Sequence, residues 1–534
     1  MKRPENPPAK AGIPCINPAT GESLGTVGIT PAEDVEQVVD RARTAALAWR
    51  RSSIRQRRRV LKHIMTHIVD HADELVDAVV QDSGKTRENA ILGEILPVCN
   101  RIKWLIKYGP RYLKSEKVGS GLLLHKKARI DYVPLGVVAC IIPWNYPLQN
   151  IISSLVAPLL AGNAVVVKAS EEVAWSTRRF RQITDEALQK AGFSTDLVQI
   201  INGYGDTGAA LVQAGVDKVL FIGSVANGRR IIEGSARNLT PVVMELGGKD
   251  PLIVCDDAHL EKAVHSALGG TFINLGQNCI AAERLIVFDG IYDRFMAALS
   301  RAAQDLRQGA PLPGGDVDVG AITSPRQVHI IDRLVQDALS KGATAIVGGQ
   351  RPDGPGHFYP PTILTGLQEG MDILREEVFG PVMLVFRVRD EEEAIALANS
   401  TGFGLQSSVI TRDRVRGERI AAALEAGGTC INDFGLCYMN QHLPFGGVKQ
   451  SGFGRMNGRD GLRAYTNPKA VLADRFPLEV PPRLFPVGPG DYARAKHTVQ
   501  LLFGSGWKTR LGALLQMLNP ARSRTGVSGP EGGR

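Results

Sequence analysis

The sequence predicts an α/β protein in which two parallel sheets are wrapped by helices. Short apolar runs typical of buried strands alternate with segments of helical periodicity, and the alternation occurs in two successive series. Of the 534 residues, 44% are hydrophobic and 22% are charged, which is ordinary for a globular protein and excludes disordered and fibrous classes. The chain is too long to pack around one small hydrophobic core, so we expect two or more packed units.

The first series lies in the N-terminal half of the chain. The periodicity predicts helices over 32–48, 55–82, 175–191 and 207–214, and strands over 137–142, 164–167, 198–202 and 218–222. The second series has predicted strands over 252–254, 285–288, 344–347, 382–386, 407–410 and 428–432. We therefore expect two α/β units in tandem.

The cysteines and the chain ends indicate a cytoplasmic protein. There are 7 Cys, an odd number without a CxxC pair, which favours reduced thiols. The first 14 residues have no apolar core of a secretory signal, and no run of 18 apolar residues predicts a membrane span.

The net charge of +9 is concentrated in the tail. Residues 474–534 hold nine Lys and Arg against four Asp and Glu, in a segment that begins rich in proline and ends in Gly, Ser and Arg. A basic tail can meet an anionic membrane, whereas the body of the protein indicates no nucleic-acid binding. We expect the last dozen residues to be disordered.

Two patterns imitate functional motifs. The run Asp82-Ser83-Gly84-Lys85-Thr86 looks like the end of a phosphate loop, but Val79 stands where that loop requires glycine. His63, His67 and His71 share one helical face, but no glutamate completes a zinc motif. The sequence therefore predicts neither nucleotide hydrolysis nor a metal site.

Seven other segments occur in a characteristic order. They are PWNYP at 143–147, GNAVVVKASE at 162–171, FIGS at 221–224, ELGGK at 245–249, GQNC at 276–279, EEVFGP at 376–381 and PFGGVKQSGFGR at 444–455. Together they resemble the aldehyde dehydrogenase superfamily over about residues 15–475. The segments GQNCIAAER and INDFGLCYMNQHLPFGG, together with the basic tail, most resemble the plant family-22 aldehyde dehydrogenase and its fungal relatives.

This resemblance implies a Rossmann-type cofactor domain, an α/β catalytic domain and a small β oligomerisation element. The boundaries that it implies are 1–115 and 135–246 for the NAD-binding domain, 247–460 for the catalytic domain, 116–134 and 461–475 for the oligomerisation element, and 476–534 for the C-terminal extension. Exposed strand edges near 122–133 and 468–472 favour a homodimer or homotetramer.

Three residues are expected to perform the chemistry. Aldehyde oxidation by a nicotinamide needs a nucleophile, because hydride leaves most readily from a tetrahedral alkoxide, and the thiolate of Cys279 fits this role. The cofactor cation would favour that thiolate. By resemblance, the Asn145 amide and the Cys279 N–H hold the alkoxide, and Glu245 activates the water that cleaves the thioester.

Two alternatives to this reaction stay open. A CoA-acylating semialdehyde dehydrogenase would pass the acyl group to coenzyme A, although such enzymes often lack the equivalent of Glu245. A non-catalytic binding or structural protein would retain the fold without needing all three residues.

One departure from the family concerns Met456, where many relatives carry a glutamate that can join a proton path.

The expected cofactor is NAD, with NADP as the alternative. Gly223 and Ser224 follow a strand and precede a helix, where free N–H groups bind a pyrophosphate. By resemblance, Lys168 and Glu171 reach the adenosine ribose, where a carboxylate repels a 2′-phosphate, although Lys168 with Ser170 could tolerate one. The remaining expected cofactor residues are Trp144, Leu246, Gly247, Glu377 and Phe379.

The expected substrate tunnel mixes apolar and polar side chains. By register with the family it is formed by Tyr146, Asn150, Ser153, Asn278, Ile280 and Phe445. The small residues at 150 and 153 are compatible with a wide tunnel for a longer or bulkier aldehyde.

The tail contains one amphipathic segment. Trp507, Leu511, Leu514, Leu515 and Leu518 fall on one helical face, beside basic residues. Such a helix can lie on an anionic membrane, pack within the enzyme or between subunits, or cover a tunnel mouth.

Overall fold

The computed structural model describes residues 12–311, 316–476 and 485–518. The first eleven residues, which include most of the segment without a secretory signal, lie outside these ranges. The last dozen residues, for which disorder is predicted, also lie outside them. The described residues fall into two compact units, one formed by the chain up to Glu116 with Arg129–Val471, the other by Lys117–Ala128 with the chain from Leu472. No helix within the described ranges is long and apolar enough to cross a membrane.

The ten strands predicted in the two series all lie close to their predicted positions. The described strands are β1 Ile13–Ile16, β2 Ser23–Val27, β3 Glu116–Val118, β4 Lys126–Pro134, β5 Val137–Ile141, β6 Ala164–Lys168, β7 Val198–Ile201, β8 Lys218–Gly223, β9 Val242–Leu246, β10 Pro251–Val254, β11 Arg284–Phe288, β12 Thr344–Val347, β13 Thr362–Thr365, β14 Val382–Val388, β15 Ser407–Ile410, β16 Thr429–Ile431, β17 Gly452–Phe453 and β18 Thr466–Asp474. Strands β1, β2, β9, β13 and β17 were not predicted.

The helices cover the faces of the sheets and form the tail. They are α1 Val35–Trp49, α2 Ile54–Asp70, α3 Ala72–Ser83, α4 Arg87–Ala90, α5 Leu96–Leu113, α6 Pro147–Ala161, α7 Thr177–Lys190, α8 Gly205–Gln213, α9 Val225–Ala236, α10 Leu260–Phe272, α11 Asp289–Gln304, α12 Pro325–Ser340, α13 Glu391–Asn399, α14 Arg414–Ala423, α15 Leu436–Met439, α16 Gly458–Arg463, α17 Asp491–Phe503 and α18 Trp507–Leu518. The helix predicted over 55–82 is two helices, because His71 leaves helical geometry at φ −115° and ψ 27°.

Two large sheets carry the predicted series. The first has the order β17-β9-β8-β5-β6-β7, and all its strands except β17 run parallel. The second has the order β12-β13-β14-β11-β10-β15-β16, with only β12 antiparallel. Strands β5, β6, β10, β11 and β15 are buried along their whole length, as expected of parallel sheets covered on both faces.

A third sheet of order β18-β4-β3 contains the segments predicted to mediate oligomerisation. Strands from both predicted segments, 116–134 and 461–475, are therefore hydrogen-bonded in one sheet. The apolar side chains Leu122, Leu123 and Leu124 before β4 are exposed.

Candidate active site

A cavity of about 870 Å³ adjoins the carboxyl ends of the first sheet's strands. Residues 143–146, which follow β5, line the cavity together with Gly223 and Ser224 at the end of β8 and with the end of β9. Ligands of open α/β sheets bind at this edge, because the connections from parallel strands to helices diverge there. The opposite lining comes from residues around 279, 377 and 435.

The predicted nucleophile, Cys279, follows a strained loop. Asn274 and Leu275 have φ of 51° and 53°, and Gly276 has φ of 67°. A Cβ on Gly276 would lie 2.1 Å from the Gly380 carbonyl oxygen, so the glycine permits a close approach of two backbone segments. Gln277 holds the loop, since its side chain donates to the Asn274 carbonyl at 2.9 Å and accepts from Thr323 N–H at 2.8 Å.

Cys279 and Glu245 interact inside the cavity. Burial raises the pKa of the Glu245 carboxyl to about 7, and a hydrogen bond with Cys279 partly opposes that rise. Burial also raises the pKa of the Cys279 thiol, and the nearby Glu245 raises it further. The protein's own groups thus favour a neutral thiol beside a carboxyl that titrates near neutrality, and Glu245 Oε1 has no hydrogen-bond partner among the described residues.

The Asn145 amide is held on the same wall. Its Nδ2 donates to the Gln277 carbonyl at 3.1 Å, and its Oδ1 accepts from Asn150 Nδ2 at 3.0 Å. These bonds fix the amide plane between the PWNYP segment and the loop that carries Cys279. One N–H of Nδ2 has no other bond in the described structure and is available to an oxygen in the cavity.

A buried ion pair holds the backbone carbonyl of Asn145. The sequence analysis did not predict this pair. Lys85 Nζ donates to Glu94 Oε1 at 2.6 Å and to the Asn145 carbonyl at 2.7 Å. Glu94 Oε2 accepts from the Gln149 N–H in the first turn of α6 at 2.8 Å. The lysine of the apparent phosphate loop is therefore a fully buried support of the predicted catalytic amide.

Glu377 and the glycines after Glu245 lie in close contact. Gly248 N–H donates to Glu377 Oε1 at 3.0 Å, and a Cβ on Gly247 would lie 2.0 Å from Glu377 Oε2. A Cβ on Gly248 would lie 2.4 Å from the Cys279 carbonyl oxygen. The two glycines therefore bring the end of β9 against both Glu377 and the nucleophile segment, while burial raises the pKa of Glu377 to about 8.

A second buried ion pair, also not predicted, braces the segment around Glu377. Lys249 Nζ donates to Glu283 Oε2 at 2.6 Å and to the Glu376 carbonyl at 2.8 Å. Glu283 in turn accepts from the N–H groups of Val378 and Phe379. This network holds Phe379 at φ 49°, with its ring edge-to-face with Trp144 at a centroid distance of 5.4 Å.

The other predicted cofactor residues divide into two places. Ser224 caps α9 by accepting from Asn227 N–H at 3.4 Å, and the free first turn of that helix, with Val225 and Ala226, lines the cavity. Lys168, Ser170 and Glu171 lie at the end of β6, outside the lining of the cavity, where Lys168 Nζ lies 3.1 Å from Glu171 Oε2. The free helix N-terminus and the Trp144–Phe379 pair fit the phosphates and the ring of a dinucleotide.

All six residues predicted for the substrate tunnel line the cavity. Further apolar residues that were not predicted line it too: Leu92, Leu96, Ile273, Phe403, Phe434, Leu436, Tyr438 and Met439. The Tyr438 and Phe445 rings meet edge-to-face at 4.8 Å. Met456 also lines the cavity, and its thioether cannot pass on a proton.

Known proteins resemble this chain in sequence and in fold. The family model "Aldehyde dehydrogenase family" matches residues 5–471. An aldehyde dehydrogenase-like protein of Schizosaccharomyces pombe is 38% identical over 470 residues, covering 87% of this chain and 90% of the relative. The 4,4'-diapolycopene aldehyde oxidase of a Methylomonas species is 36% identical, covering 92% and 91%.

A solved structure agrees with these sequence matches. The NAD⁺ complex of an aldehyde dehydrogenase from Bacillus cereus superposes with a TM-score of 0.83 at 32% identity, covering 87% of this chain and 94% of that one. The predicted superfamily, α/β fold and enzyme class are confirmed, whereas the subgroup within the family stays a prediction. The chain belongs to the aldehyde dehydrogenase family and is an oxidoreductase that oxidises aldehydes with a nicotinamide cofactor.

Proposed function

We propose that Cys279, Asn145 and Glu245 oxidise an aldehyde to a carboxylate by way of a thioester. The observation that carries this proposal is that Cys279 and Glu245 line one cavity and that each shifts the pKa of the other, while burial raises the pKa of Glu245 to about 7. A carboxyl with this pKa is ionised in about half of the molecules at pH 7 and can therefore accept a proton. The domain boundaries given above remain part of this proposal.

Cys279 begins the reaction by adding to the aldehyde carbon as a thiolate. Since burial raises the pKa of the thiol, its proton passes to the adjacent Glu245 carboxylate as the bond forms. The oxygen of the tetrahedral adduct becomes negative and is held by the Asn145 amide N–H and by the Cys279 N–H. Two rigid hydrogen-bond partners, Gln277 and Asn150, keep the amide in place without reorganisation.

A bound nicotinamide cofactor would supply the hydride acceptor for this adduct, which would become a thioester on Cys279. Gly223, Ser224, Leu246 and Gly247 would hold the cofactor at the sheet edge, with Trp144, Glu377 and Phe379 on the cavity side. Lys168, Ser170 and Glu171 would hold the far ribose. Because the Glu171 carboxylate repels a 2′-phosphate, NAD is the expected form, and NADP is the alternative.

Glu245 first releases the thiol proton to solvent water, which its pKa of about 7 permits near neutral pH. As a carboxylate again, it completes the reaction by removing a proton from the water that attacks the thioester, and the Cys279 thiolate leaves. The partner-free Oε1 of Glu245 faces no competing donor in the described structure. The presence of Glu245 favours hydrolysis over transfer to coenzyme A, because CoA-acylating relatives often lack this glutamate. A product assay distinguishes the two, since a free acid supports this proposal and an acyl-CoA supports the acylating alternative.

An apolar aldehyde of some length is the expected substrate class. The lining combines small polar residues at 150 and 153 with Leu92, Leu96, Phe434 and Leu436. The Methylomonas relative is by name an oxidase of a 4,4'-diapolycopene aldehyde. We expect kcat/KM to be higher for dodecanal than for hexanal, and the reverse order would refute a long tunnel.

A panel of aldehydes tests the reaction itself. The wild-type protein should form NADH with aldehydes of several chain lengths, and Cys279→Ala should lose at least about 10⁴-fold of that rate. The variant Cys99→Ser is the matched control, because this thiol is outside the cavity lining. NADH formation that survives in Cys279→Ala would refute the nucleophile, and its absence in the wild type with every aldehyde would favour the non-catalytic alternative.

We infer that the protein forms a homodimer or homotetramer through the sheet β18-β4-β3. Its outer strands β3 and β18 are exposed, and unpaired strand edges form hydrogen bonds with further strands. Light scattering on the purified chain tests this, and a monomer at micromolar concentration would refute it.

We infer that the enzyme is cytoplasmic and that helices α17 and α18 of the tail contact an anionic membrane surface. Helices α17 and α18 pack on each other, and the predicted apolar face of α18 is exposed, with Trp507 70% and Leu518 72% exposed. The excess positive charge of residues 474–534 attracts anionic lipids. Equal liposome co-sedimentation with and without residues 476–534 would refute this contact.

A further inference from the structure

Two cysteines outside the catalytic set lie close together beside the cavity. Cys430 Sγ and Cys437 Sγ are 3.3 Å apart, and both residues are free thiols. Neither side chain lines the cavity. The pair is therefore separate from the reacting groups, and no role in the reaction explains it.

Cys430 lies in a paired strand, whereas Cys437 lies on a short helical turn. Cys430 is the middle residue of β16, paired with Ser408 of β15, and it is buried. Cys437 belongs to the single helical turn α15, and its Sγ lies 3.5 Å from the Thr429 carbonyl oxygen. A disulfide needs an S–S separation of about 2.05 Å, so the two sulfur atoms must approach each other by about 1 Å.

The segment between the cysteines reverses direction and forms part of the cavity wall. Asn432 and Gly435 have φ of 62° and 65°, which makes the tight turn. Asp433, Phe434, Gly435 and Leu436 line the cavity, as do Tyr438 and Met439 just beyond. Joining the two sulfur atoms would therefore tether this wall at both of its ends.

The pKa values of the two thiols also favour oxidation that begins at Cys430. The hydrogen bond between them lowers the pKa of Cys430 to about 7 and raises that of Cys437. Burial instead raises the pKa of Cys140 and of Cys255 to about 12, and that of Cys15 to about 11. Since a thiolate is the species that reacts with peroxides, Cys430 is the thiol expected to react first.

We propose that Cys430 and Cys437 form a thiol–disulfide site, which a peroxide oxidises and which then tethers the cavity wall 431–436. The Cys430 thiolate attacks one peroxide oxygen, the O–O bond breaks, and hydroxide leaves with a proton as water. Cys437 then attacks the sulfenic sulfur, the S–O bond breaks, and a second water leaves with the Cys437 proton. Two thiols lose two electrons, and one hydrogen peroxide becomes two waters.

The bond itself is tested without reference to the enzyme's activity. Full-length Cys279→Ala is treated with one equivalent of hydrogen peroxide, the remaining thiols are alkylated, and its peptides are mapped by mass spectrometry. We expect a 430–437 cross-linked peptide that disappears after dithiothreitol. Alkylated or sulfonic Cys430 and Cys437 without a cross-link would overturn the proposal.

The consequence for the cavity rests on the proposed function and needs a second measurement. In the wild type we expect peroxide to lower kcat/KM for the aldehyde at least threefold, with recovery in dithiothreitol. Cys437→Ser and Cys430→Ser should each keep full basal activity and lose that recoverable component, while Cys99→Ser keeps it. A mapped cross-link with unchanged kcat/KM would overturn the tether alone, and an equal recoverable loss in both serine variants would assign the effect to Cys279.

Discussion

Two buried lysine–glutamate pairs adjoin the cavity, and the comparison between them separates stability from chemistry. In each pair, Lys85–Glu94 and Lys249–Glu283, the nitrogen and oxygen lie 2.6 Å apart and both side chains are almost wholly buried. Each lysine also donates to one backbone carbonyl, at 2.7 Å in the first pair and 2.8 Å in the second. Burial lowers the pKa of both lysines.

The pairs differ in the residue that each one holds. The first fixes the carbonyl of Asn145, whose side chain is the proposed alkoxide donor. The second fixes the Glu376 carbonyl and the N–H groups before Phe379, which belong to the proposed cofactor wall. The difference teaches that two pairs of equal geometry can support different steps, because the effect depends on what the held backbone carries.

Breaking the first pair is expected to have the largest effect. Lys85→Met leaves Glu94 buried without its partner, which costs about 3–5 kcal/mol of unfolding free energy. Gln277 and Asn150 still hold the Asn145 amide while its backbone loosens, so we expect kcat to fall roughly 10- to 10²-fold, less than removal of the donor itself would cost. Steady-state kinetics and denaturant unfolding measure the two quantities, and KM for NAD should change little.

The double variant Lys85→Met/Glu94→Leu sharpens this prediction. Replacing both charges with apolar side chains removes the unpaired carboxylate, so most of the stability should return. We expect kcat to stay low, because the Asn145 carbonyl has still lost its lysine. Recovery of kcat together with stability would mean that the pair is only structural.

Breaking the second pair should mainly weaken cofactor binding. Lys249→Met has the same expected cost in stability, but we expect KM for NAD to rise roughly tenfold, which corresponds to about 1.4 kcal/mol. At saturating NAD, kcat should fall less than threefold. A loss of kcat as large as that of Lys85→Met would erase the functional difference between the two pairs.

The pH profile is expected to follow Glu245 and neither ion pair. Its pKa is raised to about 7, so the carboxyl is protonated below that pH and cannot accept a proton. At saturating NAD, kcat should rise about tenfold from pH 6 to pH 8, as expected for one group with this pKa. Glu245→Gln should be nearly inactive and flat over this range. A midpoint near pH 4.5 would contradict the raised pKa.

Filling the space at Gly247 should give the smallest effect. A methyl group there would meet the Glu377 carboxylate at 2.0 Å, so that side chain must move. We expect KM for NAD to rise roughly threefold in Gly247→Ala, about 0.6 kcal/mol of binding, with kcat nearly unchanged. Gly208→Ala in α8 is the control, since a Cβ there meets nothing within 4 Å. Equal KM values in the two variants would contradict the contact.

Sequence reasoning named proposed reacting residues that the structure brings to one cavity, because each lies in a short local motif. Cys279, Glu245 and Asn145 line one cavity, and so do all six predicted tunnel residues. The strand positions also followed from local pattern, since β12 and β15 match their predicted ranges. One exception was helix 55–82, where the periodicity continues across His71 although the helical backbone does not, and strands such as β9 and β13 were not predicted.

The sequence by itself determined the family and most of the α/β elements and supplied the proposed reacting groups, because these depend on residue type and short spacing. Only the tertiary structure decided what surrounds those groups. Lys85 reaches the Asn145 carbonyl across 60 positions, and Glu377 meets Gly248 across 129. The raised pKa values of Glu245 and Cys279 likewise come from burial, which packing creates and which no local motif contains.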